Sequence, residues 1–413
     1  MVGKVFNAVN GIIENIEDDK KNSEDLSLFT GIGALPVLKY LKYKCTNDPK
    51  IIEEIHVSLN KFINQLNETE VHPNYCSGLA GLAKMFDYIL RKEILDKEAT
   101  EDLKEALLDI DELISEITLS NTKTIDDVDF LHGSFGTAFY LLERLPYNSD
   151  PIFKESVVKL FERLANIVNE DITNASKVEN EVVVDDLMHK TNCGLAHGHT
   201  AYIIIFSKFL EIYPENDLIK EVLKRSVSCL LKFESTDQNT FATFPSIAVN
   251  QITAQYDIAL GWCYGDQSIS LGLYKASVIL QDNSLKEKAI SLAYRNVNRN
   301  SLDRIFPYSS YDSGFCHGLA SVAYIHKKWF AITGDDLFYK EYEKYISNIL
   351  DFGEKHEGFP KFSIEGFKEA VGMLDGTIGV GMVLLDYLLG PQDYGWDNFF
   401  LLDVTSNLKN YDI

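Results

Sequence analysis

Ser-Gly-Leu-Ala-Gly (Ser77–Gly81), running into the apolar stretch Leu79–Leu90, decides the fold because the chain repeats it in variant form. The other versions are Thr-Gly-Ile-Gly-Ala (Thr30–Ala34), His-Gly-Ser-Phe-Gly (His132–Gly136) and His-Gly-His-Thr-Ala (His197–Ala201). Tyr-Gly-Asp-Gln-Ser (Tyr264–Ser268), His-Gly-Leu-Ala-Ser (His317–Ser321) and Asp-Gly-Thr-Ile-Gly (Asp375–Gly379) complete the set of seven. The leading glycines are Gly31, Gly78, Gly133, Gly198, Gly265, Gly318 and Gly376, spaced 47 to 67 residues apart, a period that suits repeated helical hairpins. A second small residue follows each glycine three places on, which puts two small groups on one helix face and permits close backbone approach.

Apolar stretches follow the motifs, as at Thr137–Leu142, Ala201–Leu210 and Val380–Leu389, and read as helices buried on most sides. Amphipathic segments lie between them. Ile51, Ile55, Leu59, Phe62, Ile63 and Leu66 mark one stripe; Leu103, Leu107, Ile110, Leu113, Ile114 and Ile117 mark another. Val157, Leu160, Phe161, Leu164 and Val168 form a third, and Leu285, Ala289, Leu292 and Ala293 a fourth. Three-and-four spacing with a polar opposite face is the pattern of helices packed on a core from outside. The unit is therefore outer helix, loop, glycine motif, inner helix. An open solenoid needs polar caps at its ends, and the last inner segment is as apolar as the others. The expected fold is all-α: one α/α toroid over residues 1–413, with about seven inner and seven outer helices. Every motif loop then meets at one rim. Two longer connections are expected at about 169–192 and 234–260, with short strands near Val182–Val184, Thr240–Thr243 and Ile252–Tyr256. Long loops at a functional end bind or cover substrate.

The 413 residues are 46% hydrophobic and 24% charged, enough for a sizeable core. A net charge of -23 argues against nucleic-acid backbones and anionic membrane surfaces as partners. No basic start with an apolar run and cleavage site opens the chain, and no apolar run reaches membrane-spanning length. Six cysteines are too sparse for a disulfide scaffold, which points to a reducing cytoplasm.

Cys263 stands two places before Gly265, and Cys316 two places before Gly318 in the next unit, with His317 beside it. Equivalent positions on adjacent units bring both sulfurs to neighbouring inner-helix starts. Helix N-termini favour thiolate over thiol. Thiolate with imidazole selects zinc over magnesium or calcium, and a catalytic zinc site commonly has three protein ligands and an open fourth position. Cys263, Cys316 and His317 are therefore the candidate Zn2+ ligands. Cys76 also sits two places before its glycine, so position alone does not make a ligand; a lone buried cysteine is usually packing.

Trp-Cys-Tyr-Gly (Trp262–Gly265) and Cys-His-Gly (Cys316–Gly318) resemble the two zinc motifs of the lanthionine synthetase C (LanC-like) family, in the right order. Gly-Leu-Ala-His-Gly (Gly194–Gly198) resembles its histidine motif, and Asp129 falls where the family places an acidic catalytic residue. The resemblance spans nearly the whole chain. Ser268 and Ser321 stand where the family usually has a second glycine, and Ala259 where some members carry an arginine. What the resemblance implies is lanthipeptide cyclisation: a precursor peptide with a leader, dehydrated by a separate dehydratase, closes thioether rings when its cysteines add to dehydroalanine or dehydrobutyrine. His197 is then the candidate acid or base, its ordinary pKa lying near neutrality, and Asp129 its orienting partner. Tyr264 is a weaker candidate donor, and His199 a rival to His197. His56, His72, His132, His189, His326 and His356 read as surface or core residues.

Three alternatives remain. The same metal could serve a transferase that adds glutathione or another small thiol to dehydroamino acids. The protein could bind peptides without catalysis. An α/α toroid glycosidase would need paired carboxylates, for which the motif loops offer Asp129, Asp266 and Asp375.

Overall fold

A computed structural model describes residues 1–18, 24–66, 72–180, 188–237, 239–256, 258–299, 301–306 and 311–405. Among the described residues it holds fourteen α-helices that alternate between an outer and an inner layer. The outer helices are α1 (Val2–Asp18), α3 (Lys50–Leu66), α5 (Lys97–Asn121), α7 (Pro151–Ala175), α9 (Asp217–Leu231), α11 (Asn283–Val297) and α13 (Asp336–His356). The inner helices are α2 (Leu35–Thr46), α4 (Leu79–Leu90), α6 (Ser134–Arg144), α8 (His199–Ile212), α10 (Asp266–Leu280), α12 (Leu319–Thr333) and α14 (Thr377–Leu389). Each inner helix packs on the next, and α14 packs back on α2, so the inner layer is a closed ring. The chain is an α/α toroid of seven inner and seven outer helices.

The two layers start their helices by different chemistry. Five outer helices open on a side-chain cap: Asp96, Asp150, Asn216, Asp282 and Asp335 each accept a backbone N–H from the first turn. That is the ordinary solution for a helix end facing water. Six inner helices open directly on the motif glycine, with no side-chain cap. Their first N–H groups are satisfied by the preceding loop folding back. Leu79 donates to the His72 carbonyl at 2.7 Å, Leu319 to Asp312 at 3.0 Å, and Thr377 to Ala370 at 3.0 Å. A Cβ at Gly78 would collide with the same His72 carbonyl, so glycine is required there by close approach, although its φ is extended. The first unit differs: Gly31 lies in a turn and α2 begins four residues later.

The motif loops are joined to one another. In six of the seven motifs the residue two places before the glycine donates its N–H to the carbonyl of its counterpart in the next unit. Phe29 donates to Cys76 (3.0 Å), Cys76 to Leu131 (2.7 Å), Ala196 to Cys263 (3.2 Å), Cys263 to Cys316 (2.9 Å), Cys316 to Leu374 (2.8 Å) and Leu374 to Phe29 (3.0 Å). This belt of backbone hydrogen bonds covers six of the seven joints. Among the described residues no such bond links Leu131 to Ala196. There the Asp129 and His197 side chains meet instead.

The ring's interior is filled rather than hollow. A 3-10 turn at Trp396–Phe400 lies inside it, with Trp396, Phe399, Phe400 and Leu401 fully buried. Buried ion pairs fix the segment that follows: Lys208 of α8 meets Asp403 at 2.6 Å and Glu143 of α6 at 3.4 Å, and Lys84 of α4 meets Glu143 at 3.2 Å. Charges this deep persist only when paired. Lys208→Met is expected to destabilise the protein by about 3–5 kcal/mol, because it removes the buried cation that Asp403 and Glu143 share; urea unfolding followed by tryptophan fluorescence checks it.

The expected outer stripes hold with two revisions: on α3, Ile51, Ile55, Leu59 and Phe62 are buried but Ile63 is exposed. On α5, Leu103, Leu107 and Ile114 are buried but Leu113 is exposed. Asp111 takes the buried place, bonded to Tyr140 at 2.7 Å and Arg144 at 3.1 Å. The strand expectations fare worse. Val182–Val184 lies outside the described residues. Thr240–Thr243 and Ile252–Tyr256 form no strand; the connection instead pairs β1 (Thr191–Asn192) with β2 (Ile247–Ala248), antiparallel. A second pair, β3 (Lys361–Ser363) and β4 (Gly366–Lys368), forms a hairpin before the last motif.

Candidate metal centre and its neighbouring histidine

Cys263, Cys316 and His317 converge: one ligand atom from each lies within 4.8 Å of the other two. The belt explains why. Their loops are adjacent joints, and the Cys263 N–H to Cys316 carbonyl bond pulls the two backbones together. Gly261 completes the approach, since a Cβ there would lie 2.5 Å from the Cα of His317. Gly261 lies outside the motif repeat and carries no local signal beyond being glycine. Cys263 is buried, Cys316 partly so, and His317 reaches the surface.

The donor set behaves as one unit. The Cys263 thiol is lowered to about 6, first by the hydrogen bond from Cys316 and then by His317, against burial. The Cys316 thiol is pushed up by that same partnership and by burial. His317 rises to about 9 because it faces the Cys263 sulfur. Cys76 occupies the equivalent belt position yet rises to about 12, driven by burial and by Asp375, Asp129 and Asp25. Position in the motif is shared; a thiol neighbour and an imidazole are not. Two soft sulfurs and an imidazole nitrogen in reach of one point suit a zinc ion. Asp312 stands behind the cluster, 3.9 Å from Nε2 of His317, and accepts the Phe362 and Gly314 N–H groups at 2.9 Å each. Carboxylates in such places orient ligating imidazoles.

His197 and Asp129 also meet, Nδ1 against a carboxylate oxygen, both side chains partly exposed. Asp129 also accepts the His132 N–H at 2.7 Å, which fixes it in its loop. His132 stacks against His197 at 6.0 Å, and the Tyr264 ring lies 6.3 Å from His197. Tyr264 adjoins Cys263 and accepts from Asn192 at 3.3 Å. The histidine pair and the cysteine cluster therefore share one stretch of rim. His132 belongs to this rim, although its sequence context marked it only as surface or core; its place after Asp129 in the third motif was the available signal. His199 does not belong. It is buried and turned to Asp171 of α7 at 3.3 Å, with His189 on the other carboxylate oxygen at 3.2 Å.

Asp129 holds the His197 pKa above its ordinary value, chiefly by the hydrogen bond and against burial. The sign follows. A raised imidazole pKa makes the ion pair complete below the ordinary value of about 6.5 and dissolves it as pH climbs through the folded value. Asp129→Asn is therefore expected to move His197 titration to lower pH. NMR titration of the His197 ring protons checks it; an unmoved midpoint would contradict the pairing.

The three carboxylates of the glycosidase alternative are each engaged elsewhere among the described residues. Asp129 is engaged with His197. Asp266 is fully buried, accepting from Thr243 N at 2.9 Å, Phe244 N at 3.1 Å and Arg299 at 2.9 Å. Asp375 faces Lys361 at 3.5 Å.

Fold and site together define a class: a closed α/α ring that carries thiolate and imidazole donors on its glycine-motif rim. The chain belongs to the lanthionine synthetase C-like family, whose model matches residues 22–401. Among solved structures it is similar to nisin cyclase, with a TM-score of 0.76 and 18% sequence identity over 98% of each chain.

Proposed function

We propose that the protein is a lanthipeptide cyclase that holds Zn2+ through Cys263, Cys316 and His317. The observation that carries this reading is the convergence of those donors beside the His197–Asp129 pair on one rim. Zinc, when bound, keeps a coordinated thiol deprotonated at neutral pH, where a free cysteine near pKa ~8.5 is mostly protonated.

The rest falls to the protein's own groups. In the addition, the peptide sulfur bonds to the β-carbon of dehydroalanine or dehydrobutyrine. The alkene electrons move to the neighbouring carbonyl as an enolate, and the α-carbon then takes a proton. No atom is lost, so ring closure leaves the mass unchanged while one thiol disappears. His197 delivers that proton: Asp129 keeps it protonated further into the neutral range than a free imidazole. Tyr264, between His197 and Cys263, lines the same place. The enzyme takes a precursor peptide dehydrated by a separate protein, in a reducing cytoplasm where substrate thiols stay free. Among the described residues no helix is long and apolar enough to cross a membrane.

The test uses a synthetic peptide carrying one cysteine and one dehydroalanine, with glutathione as competing thiol. The expected product has unchanged mass and resists thiol alkylation, and removing metal with a chelator abolishes its formation. A glutathione adduct as sole product would establish a transferase; no product in any arm would leave a binding protein.

A further inference from the structure

We propose that Phe400, on the turn inside the ring, is a positioning residue that sets the two candidate ligand cysteines relative to each other; this rests on the metal-site reading above. Trp262 and Phe315 immediately precede Cys263 and Cys316, and both are fully buried. The Phe400 ring stacks on Phe315 with centroids 3.8 Å apart and meets Trp262 edge-on at 5.5 Å. Its carbonyl accepts the Trp262 indole N–H at 2.8 Å. One residue thus touches the neighbours of both sulfurs.

The turn is itself braced from the far side. Trp396 donates to Asp386 of α14 at 3.2 Å, and Lys328 of α12 meets Asp397 at 2.5 Å. Tyr75 donates to the Phe399 carbonyl at 3.2 Å. Phe400 therefore acts as a wedge with a fixed back. Above it, the belt joins the two cysteines by the single bond from Cys263 N to the Cys316 carbonyl. The belt fixes the main chain, whereas a metal site also needs its ligand side chains held to within roughly 0.5 Å. Truncating a buried ring leaves a space that its neighbours fill only in part. The neighbours here are Trp262 and Phe315, and each carries a cysteine with it.

Phe399 provides the control. It is on the same turn and equally buried, but its ring packs on Tyr88 of α4 at 5.4 Å. The experiment uses the full chain with Phe400→Ala, Phe400→Leu and Phe399→Ala. Zinc affinity is read by chelator competition, and geometry by the thiolate charge-transfer and visible bands of the cobalt-loaded protein. Phe400→Ala is expected to weaken zinc binding roughly 10–100-fold, the range for losing support behind a ligand, and to shift the cobalt bands. Phe400→Leu recovers part of both, and carries the comparison alone if the alanine variant does not fold. Phe399→Ala matches the parent in affinity and spectrum. Parental zinc binding in Phe400→Ala and Phe400→Leu overturns the proposal, and so does an equal loss in Phe399→Ala. Zinc binding that survives loss of Cys263 and Cys316 overturns the site reading, and the proposal with it.

Discussion

Cys263→Ala and Cys316→Ala are each expected to lose nearly all bound zinc, while Cys76→Ala keeps the parental amount. The three cysteines occupy the same place relative to their glycines, so the comparison separates motif position from ligation. Losing one of three protein donors removes a coordinate bond outright. The expected loss in affinity exceeds the roughly 10–100-fold that follows removal of a group merely supporting a ligand. Each variant removes a small side chain from a loop held by main-chain bonds, so the fold should survive. Elemental analysis of the dialysed proteins, alongside circular dichroism, reads both quantities. Equal zinc in all four proteins would end the assignment; loss in Cys76→Ala alone would move it.

His197→Ala is expected to keep its zinc and its fold and to lose ring closure. Proton transfer by a positioned side chain contributes roughly 10²–10⁴-fold to rate, so the variant should fall by that amount on the dehydroalanine peptide. The residue is partly exposed and its side chain bonds Asp129, so removing it leaves the main-chain bonds of the rim in place. His199→Ala discriminates further. His199 is buried against Asp171, so its loss should lower thermal stability and leave turnover per folded molecule intact. A fully active His197→Ala would remove that residue from the chemistry.

The toroid was readable because its cause is local and repeated. Seven glycines with a small residue three places on, each leading into an apolar stretch, leave few alternatives to inner helices starting at one rim. The two cysteines were readable for the same reason, since equivalent positions on adjacent units become neighbours once the ring closes. What escaped depends on contacts between distant segments. Gly261 matters only because the His317 backbone arrives beside it. The turn at Trp396–Phe400 follows the last repeat and carries no motif, yet it fills the ring's centre. The acidic run Asp109–Glu112 reads as a solvated face, yet Asp111 is buried, because periodicity cannot show that Arg144 would come from another helix to meet it. The short strands were misplaced because a two-residue pairing is set by the partner segment, not by local β-propensity.

The belt of amides around the rim has one more consequence. Its links are Phe29, Cys76, Leu131, Ala196, Cys263, Cys316 and Leu374: a ring, thiols, branched chains and a methyl hung on the same thread. A thread made of main chain holds whatever is strung on it, so chemistry at this mouth can be exchanged bead by bead without unclasping the circle. Among the described residues, the one joint without such an amide link is bridged by a carboxylate and an imidazole, which makes the clasp itself the part that can carry a proton.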